Sequence, residues 1–228
     1  MAIPIYLAMT AAEFASCANF PPHTGWMACH FSSYGLGLSN LPPALPEDAM
    51  VIVNDRTPIC GHDPETILLQ LAGIPCGCYL LDFQRPGVLE TARLAEYLLK
   101  NLPRPAALSS LYAEDLDCPV FLPPVPPSLS PEDYLQPWQG REIWLEAAMN
   151  TEIITVTSQG TTTQESTEPI SQPLPHFDEA LFCHYAIEIH GDAACFHLHR
   201  TREDLAALLQ KAEPLGVRLS AGLYQELK

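Results

Sequence analysis

The sequence has few basic residues. Lys and Arg together number 11 in 228 residues, against 27 Asp and Glu, so the formal net charge is -16. A field of this sign repels the phosphate backbone of nucleic acids and the anionic headgroups of lipids. We therefore expect no nucleic-acid partner and no membrane partner.

Long apolar runs are also missing, since no stretch approaches the roughly 18 consecutive apolar residues that a membrane-spanning helix requires. The first residues, "MAIPIYLAMTAAEF", have no basic residue before their short apolar run, unlike a secretory signal. Pro4 followed by residues of high β propensity indicates a first strand instead. These features predict a cytoplasmic protein.

Motifs for nucleotide binding and acyl transfer are absent as well. The segment "GLGLSN" at 35–40 lacks the lysine and the following helix of a phosphate loop, and no GxSxG elbow occurs. Cys29 and His30 are adjacent on a predicted strand and so point to opposite faces, which excludes a Cys-His dyad. We expect no cofactor.

Cysteine is not scarce, but its spacing excludes a zinc finger. Cys76 and Cys78 form CxC and not CxxC, and no second pair stands at zinc-ligand spacing. Most of the 8 cysteines lie among strand-like apolar residues, where free cysteine behaves as a small hydrophobic side chain. We expect reduced thiols.

Short runs of strand-forming residues recur along the chain, and several are too apolar for half-exposed antiparallel strands. Helical segments with capping signals stand between some of them, such as 63–73, which opens with Asp-Pro and ends in Gly73. This alternation is typical of an α/β fold. The predicted strands are residues 3–9, 25–33, 49–55, 77–84, 106–112, 118–124, 141–149 and 217–227.

The predicted fold is a (β/α)8 TIM-like barrel with reduced or missing helices, formed by residues 1–228 as a single domain. Connections such as "PPALPED" and "LYAEDLD" are too short for a full crossover helix. Several strands end in polar clusters, which a ring of strand ends around one mouth would show. An open flavodoxin-like sheet is the alternative.

Two features interrupt the barrel pattern near the carboxyl end. A Ser/Thr/Gln/Pro-rich stretch at about 157–180 has no apolar period and is predicted to be a polar loop. Residues 182–200 are predicted to form an inserted β-hairpin that turns at Gly191-Asp192. That turn pairs His184 with His199 and brings His197 to the same face, which indicates either a metal site or an ordinary solvated face. No metal ligand is assigned.

The predicted strand "CYLLDFQRPG" at 78–87 changes from apolar to polar at its end. Because strand side chains alternate, Asp82 and Gln84 share one face with Cys78 and Leu80. In a barrel this face points inward at the carboxyl mouth. A buried carboxylate there is costly unless it is hydrogen-bonded or used in binding or catalysis.

Other strand ends supply further candidates. The same alternation places Trp26, His30 and Ser32 on one face of the second predicted strand. On the third predicted strand it places Asp55 on the same face as Val51 and Val53. On the seventh it places Trp144 and Glu146 on one face.

If the protein is a hydrolase, we predict Asp82 and Glu146 as its catalytic pair, with Glu146 as the acid. The alternatives are that Glu146 forms a structural ion pair with Arg56 or Arg85 and that Asp82 caps the following turn. The predicted ligand contacts are Gln84, Arg85, Asp55, Arg56, His30 and Trp144.

The run "LLDFQ" at 80–84 resembles the terminal part of the strand motif of family 18 glycoside hydrolases, which stands on the fourth strand of a barrel. The resemblance implies that Asp82 orients an acetamido group of the substrate. Gln84 occupies the place of the proton-donating glutamate, and Tyr79 and Leu80 replace earlier aspartates. Since Gln cannot act as an acid, the resemblance implies a binding-only relative or different chemistry.

Three functions follow. The first is a carbohydrate-directed barrel, glycoside-hydrolase-like or carbohydrate-binding, with a glycan or other small molecule at the strand ends. The second is a metal-dependent hydrolase or lyase that uses Asp55, His62 or the hairpin histidines. The third is a non-catalytic interaction protein, in which a homodimer covers apolar surface left by missing helices.

Overall fold

The protein is described from a computed structural model, in which residues 3–33, 37–57, 61–166 and 173–228 are described. Outside this description lie residues 34–36, which include the first two residues of the "GLGLSN" segment, residues 58–60 after the third predicted strand, and residues 167–172 of the predicted polar loop.

Eight parallel strands form a closed barrel. The strand order around the ring is β1-β14-β8-β7-β6-β5-β4-β2, and β1 also pairs with β2, which closes it. A two-residue strand, β3 (Leu38–Ser39), pairs antiparallel with β2. The barrel strands are β1 (Ile5–Met9), β2 (Thr24–Phe31), β4 (Met50–Asn54), β5 (Cys78–Asp82), β6 (Ala106–Ser109), β7 (Val120–Leu122), β8 (Ile143–Glu146) and β14 (Val217–Leu223).

The closed ring confirms the predicted TIM-like barrel. The alternative, an open flavodoxin-like sheet, is wrong because Leu7 to Met9 of β1 pair with Thr24 to Trp26 of β2, while Ile5 to Ala8 pair with β14. An open sheet would leave one side of β1 unpaired.

Two of the helices begin directly after side chains that cap them. Asp63 accepts a hydrogen bond from the Thr66 amide at the start of α2, and Thr201 caps α6 together with Asp204 at the third helical position. Gly216 has a φ of 111°, a left-handed conformation that suits glycine after a helix. The helices are α1 (Ala11–Ser16), α2 (Pro64–Ala72), α3 (Leu89–Asn101), α4 (Ser110–Ala113), α5 (Pro131–Leu135), α6 (Arg202–Ala212) and α7 (Tyr224–Leu227).

The helical layer is reduced, as predicted. The described residues between β3 and β4 form no helix, and α4 after β6 has only 4 residues. The six-residue α1 was not predicted, because its only apolar anchor is the buried Phe14. A short helix with one buried side chain leaves little periodic signal in the sequence.

Inward side chains from the barrel strands fill its interior. On β5 these are Cys78 and Leu80, as the predicted alternation requires, and neighbouring strands add side chains at the same level. The core cluster comprises Tyr6, Ala8, Met50, Ile52, Cys78, Leu80, Ala107, Phe121, Trp144 and Ala221. The interior is therefore a packed core and not a channel.

Outward side chains of β5 are buried beneath the helices. Tyr79 and Leu81 are fully buried, and the Tyr79 hydroxyl donates a hydrogen bond of 2.9 Å to the Leu71 carbonyl near the end of α2. Phe83 follows on the same face and is also fully buried. The inward face of this strand thus carries polar side chains at the mouth of the barrel, and its outward face carries buried side chains that are mostly apolar. This arrangement confirms the predicted faces.

The chain divides into two compact units, one with most of the barrel and one formed mainly by Pro123–Gly140 and Glu146–Val217. The single-domain assignment stays a prediction. The second unit contains α5, α6 and a five-stranded antiparallel sheet of order β10-β9-β13-β12-β11. Its strands are β9 (Thr151–Thr157), β10 (Gly160–Ser166), β11 (His176–Asp178), β12 (Cys183–His190) and β13 (Ala193–His199).

The predicted hairpin is confirmed, and the predicted polar loop is partly wrong. β12 and β13 pair His184 with His199 and Ala186 with His197, as the two-residue turn requires. Residues 160–166, however, form β10, which pairs with β9 along its whole length. β10 is largely exposed and rich in threonine, which favours strands without giving an apolar alternation.

A buried arginine holds the second unit together. Arg200 is 1% exposed, and its guanidinium donates hydrogen bonds to the carbonyls of Val125, Leu181 and Phe182. A fixed planar fork with five donors suits several carbonyls at once, which a lysine cannot match. The side chain thereby joins the 123–140 segment to the turn before β12.

Cysteine chemistry agrees with the expectation of reduced thiols. The seven cysteines among the described residues are all free. Burial raises the pKa of Cys29 and of Cys78 to about 12, so both remain protonated at neutral pH.

Within the described part of the chain, no helix combines the length and apolar character needed to cross a bilayer. The cytoplasmic location stays a prediction.

Candidate functional site

A β-bulge in β2 decides which of its side chains reach the mouth. Trp26 pairs with Val51 but Cys29 pairs with Val53, so two residues of β2, Met27 and Ala28, stand opposite one residue of β4. Trp26 therefore points outward, where its ring packs edge-on against Phe14 of α1 at 5.1 Å. The predicted shared face of Trp26 and His30 is wrong, because the extra residue reverses the alternation between them.

Beyond the bulge, His30 takes its place in a row of polar side chains at the carboxyl ends of three adjacent strands. In the ladders, His30 of β2 pairs with Asn54 of β4, and Asn54 pairs with Asp82 of β5. Residues paired in this way lie about 4.8 Å apart. The three side chains thus form a continuous polar edge.

This row borders an open pocket of about 490 Å³. Such a volume lies within the range of small-molecule sites. It holds five of the predicted site residues, His30, Asp55, Arg56, Asp82 and Gln84. The described residues that line it are Thr10, Met27, Ala28, His30, Asn40, Asn54, Asp55, Arg56, Asp82 and Gln84.

Asp82 and Gln84 form a hydrogen-bonded pair in this pocket. Gln84 Nε2 donates to Asp82 Oδ1 over 2.5 Å. Burial raises the pKa of Asp82, the hydrogen bond from Gln84 opposes this effect, and the nearby Asp55 carboxylate raises the pKa further. The net shift is upward, so the folded protein disfavours the ionised form of Asp82. A ligand that donates hydrogen bonds would relieve that penalty.

His30 has a defined tautomer. Its Nδ1 lies 2.9 Å from the carbonyl oxygen of Ala28, which can only accept, so Nδ1 carries the proton. In the neutral ring, Nε2 is then an acceptor. Asn54 is held similarly: its Nδ2 donates to the Met27 carbonyl over 3.2 Å, and its Oδ1 accepts the Arg56 amide over 3.2 Å. Both residues are oriented by backbone groups around the bulge.

Asp55 organises the backbone after β5. It is 3% exposed, its Oδ1 accepts the Gln84 amide and its Oδ2 accepts the Arg85 amide, both at 2.9 Å. Arg85 in turn donates from Nε to the Asp55 carbonyl and from Nη2 to the Arg56 carbonyl. These bonds tie together the segments that follow β4 and β5. Asp55 and Arg85 therefore connect these two segments. The ligand contacts predicted for both residues remain predictions.

Two predicted site residues are not among the described residues that line the pocket. Trp144 is 2% exposed in the barrel core, and its indole N–H donates to Glu142, which precedes β8, so the ring is directed away from the carboxyl end. Stacking of a sugar on Trp144 stays a prediction that would require the core to open. Glu146 belongs to the second compact unit, where its carboxylate adds to the effect of burial in raising the pKa of Tyr134 to about 12. Its pairing with Asp82 in catalysis also stays a prediction.

The geometry gives no support to a metal centre. Among the described residues, no three His, Cys, Asp or Glu side chains are arranged to hold a metal ion. His184 Nδ1 lies 2.9 Å from Asp204 Oδ2, and His199 Nδ1 lies 2.9 Å from the Thr151 hydroxyl. His62 Nε2 lies 3.1 Å from the Ser32 carbonyl.

Several pocket residues were not predicted as ligand contacts. Thr10 follows β1 directly and Asn54 ends β4, so the rule that selected Asp82 would also select them. Met27 and Ala28 reach the pocket through the bulge, and Asn40 follows the short β3 with a φ of 54°. Nothing in the local sequence indicates these three.

Comparisons with known proteins bear on the fold alone. No protein-family model matches the chain, and no curated protein matches it. Among solved structures, the spore cortex-lytic enzyme SleL of Bacillus cereus aligns with a TM-score of 0.54 at 8% identity, over 99% of this chain and 71% of that one. SleL of Bacillus megaterium QM B1551 aligns with a TM-score of 0.51 at 10% identity, over 99% and 71%.

These similarities establish a barrel fold shared with two cortex-lytic enzymes. At 8% and 10% identity, they carry no information on individual side chains. The order of strands agrees with the family 18 resemblance in one respect, since β5 is the fourth barrel strand along the chain. The family itself is not shown, because no family model matches.

Proposed function

We propose that this protein is a carbohydrate-binding barrel that holds a glycan at its carboxyl mouth without cleaving glycosidic bonds. The observation that carries the proposal is the Asp82–Gln84 pair, hydrogen-bonded over 2.5 Å beside an open pocket of about 490 Å³. An amide and a carboxyl side by side supply both donors and acceptors, which suit hydroxyl and acetamido groups.

The rest of the pocket supports a polar, uncharged ligand. His30 Nε2 and the Asn54 side chain extend the row of hydrogen-bonding groups, while Met27 and Ala28 add apolar surface. Convergent polar groups combined with apolar surface are typical of small-molecule sites. Sugars combine hydroxyls with apolar C–H faces and match such a lining.

Gln84 supports binding without hydrolysis. A glycosidase needs a carboxylic acid that protonates the leaving oxygen, and a carboxamide cannot donate a proton in this way. The two structurally similar proteins are spore cortex-lytic enzymes, and the likeness concerns the barrel fold alone. The family 18 resemblance implies that this chain lacks the catalytic acid, because Gln84 occupies its place.

Binding is tested with N-acetylglucosamine oligomers, because the resemblance implies acetamido recognition by Asp82. The tetramer is expected to raise the melting temperature of the parent protein by a few degrees at concentrations well above Kd, since a ligand that binds only the folded state stabilises it. Oligomers of glucose, which lack the acetamido group, serve as the matched ligand control. No shift with any glycan would contradict the proposal.

Hydrolysis is tested separately with Gln84→Glu. The parent should release no fluorophore from a fluorogenic di-N-acetylchitobioside, whereas Gln84→Glu restores the missing acid and should give slow release. Release by the parent would contradict binding without cleavage. If both proteins bind the glycan and neither cleaves it, the proposal of glycan binding is retained. The family 18 resemblance would then not identify position 84 as the place of the catalytic acid.

A further inference from the structure

The antiparallel sheet of the second unit carries an exposed apolar patch on one face. Its centre is a row of three paired residues, Ile187, Phe196 and Ile154, on β12, β13 and β9. The next row is Ile189, Ala194 and Val156. Because paired residues in adjacent strands share a face, all six side chains lie on the same side of the sheet. We call these six residues the apolar patch.

Solvent reaches much of this patch. Ile189 is 70% exposed, Ile187 is 49% exposed and Val156 is 38% exposed, and the other three residues are partly exposed. The same face becomes buried toward the other end of the strands, where Leu198 and Glu152 are almost inaccessible. Single exposed aliphatic residues are ordinary on protein surfaces, but a contiguous group across three strands marks an interaction site.

The charge around the patch indicates which kind of partner would bind there. Between Arg141 and Arg200 the sequence contains no Lys or Arg, against nine acidic residues. Asp192 lies in the exposed turn directly after β12, and the exposed Glu165 of β10, which pairs with Glu152, lies on the same face of the sheet as the patch. A surface of this kind attracts cations and repels anions. A second copy of the chain, with its own net charge of -16, is therefore a poor occupant.

We infer that the apolar patch is a docking surface for a basic polypeptide segment in which Lys or Arg alternate with apolar side chains. The apolar side chains of the segment would cover Ile187, Ile189 and Val156, while its cationic side chains would lie near Asp192 and Glu165. The inference concerns the second unit alone and does not depend on the glycan pocket in the barrel.

The test uses the full chain and a labelled short peptide that alternates Lys and Val, with a Glu–Val peptide of the same length as the charge control. Binding is followed by fluorescence anisotropy. The variant Ile187→Thr/Ile189→Thr removes apolar surface but keeps β-branched residues that favour the strand. Leu69→Gln, which changes a residue 67% exposed on α2, is the matched control.

The parent should bind the Lys–Val peptide and not the Glu–Val peptide. The double variant should weaken binding at least about tenfold, because two large aliphatic side chains no longer contribute apolar area. Leu69→Gln should bind like the parent. Circular dichroism and the melting temperature verify that the variants remain folded, and Val156→Thr gives an independent second variant.

Two results would overturn the inference. Equal binding by the parent and the double variant would mean that charge alone attracts the peptide. Self-association of the parent in sedimentation equilibrium, abolished by Ile187→Thr/Ile189→Thr, would mean that a second copy covers the patch.

Discussion

The carboxylate of Asp55 accepts the backbone amides of Gln84 and Arg85 at 2.9 Å each, although 29 residues separate Asp55 from Gln84 in the chain. Two strand ends are thereby fixed to each other at the mouth of the barrel. The position of the Gln84 side chain, and of the pocket edge that it forms, depends on this link.

Asp55→Ala should destabilise the protein by about 2–4 kcal/mol, because two backbone amides lose a charged acceptor that is itself nearly buried. Asp55→Asn keeps one acceptor oxygen and should cost less. Urea denaturation monitored by circular dichroism measures both free energies of unfolding. An Asp55→Ala variant as stable as the parent would show that this link does not hold the two strand ends.

Replacing Asp82 by Asn should stabilise the protein at neutral pH. The raised pKa of Asp82 means that, between the ordinary carboxyl pKa of about 4 and the raised value, the folded state holds a proton that the unfolded state has released. The free energy of unfolding of the parent therefore falls as pH rises through this window. Asn does not ionise and avoids the loss.

The measurement is the difference in the free energy of unfolding between Asp82→Asn and the parent, from acidic to neutral pH. The advantage of the variant should grow as pH rises from about 4 and then level off. Glu90→Gln, at an exposed position in the first turn of α3, serves as the control for loss of one negative charge. A difference that does not change with pH would contradict the raised pKa.

Arg200→Met should destabilise the second unit by at least about 3 kcal/mol, because several buried carbonyls lose their donors at once. The nearly buried Glu152 and Asp204 would also lose the electrostatic attraction of the guanidinium. Arg200→Lys keeps the charge without the planar fork and should fall in between. Arg93→Met, on the exposed side of α3, should change stability by less than about 0.5 kcal/mol.

Native-state alkylation should distinguish the cysteines by burial. Cys29 and Cys78, with pKa values raised to about 12 by burial, should resist iodoacetamide at pH 8, since only about one thiol in ten thousand is then a thiolate. The partly exposed Cys17 and Cys195 should react first. Peptide mass spectrometry after timed labelling gives the order. Rapid labelling of Cys29 would contradict the buried β2–β4 interface.

The sequence was sufficient to predict the barrel and the faces of β5, because strand-helix alternation and the alternation of side chains are local patterns. It was sufficient also for the β12–β13 register, which the Gly191-Asp192 turn specifies. The bulge in β2 could not be predicted, since an extra residue between Trp26 and Cys29 changes the facing of side chains without changing the residue types.

The sequence also could not predict how deep in the barrel a side chain lies. Alternation correctly turns Trp144 inward, but whether an inward residue lies in the core or at the mouth depends on the stagger of the strands. The exposed strand β10 escaped prediction because a strand that is polar on both faces resembles a loop in sequence.

Calorimetric titration with the N-acetylglucosamine tetramer tests most directly whether the Asp82–Gln84 pair binds a carbohydrate. The parent should bind with measurable heat, and Gln84→Ala should weaken binding about fivefold to tenfold through loss of hydrogen bonds to the ligand. Gln159→Ala, in the exposed turn between β9 and β10, should bind like the parent. Equal affinities for the parent and Gln84→Ala, or no heat with any protein, would contradict binding by this pair.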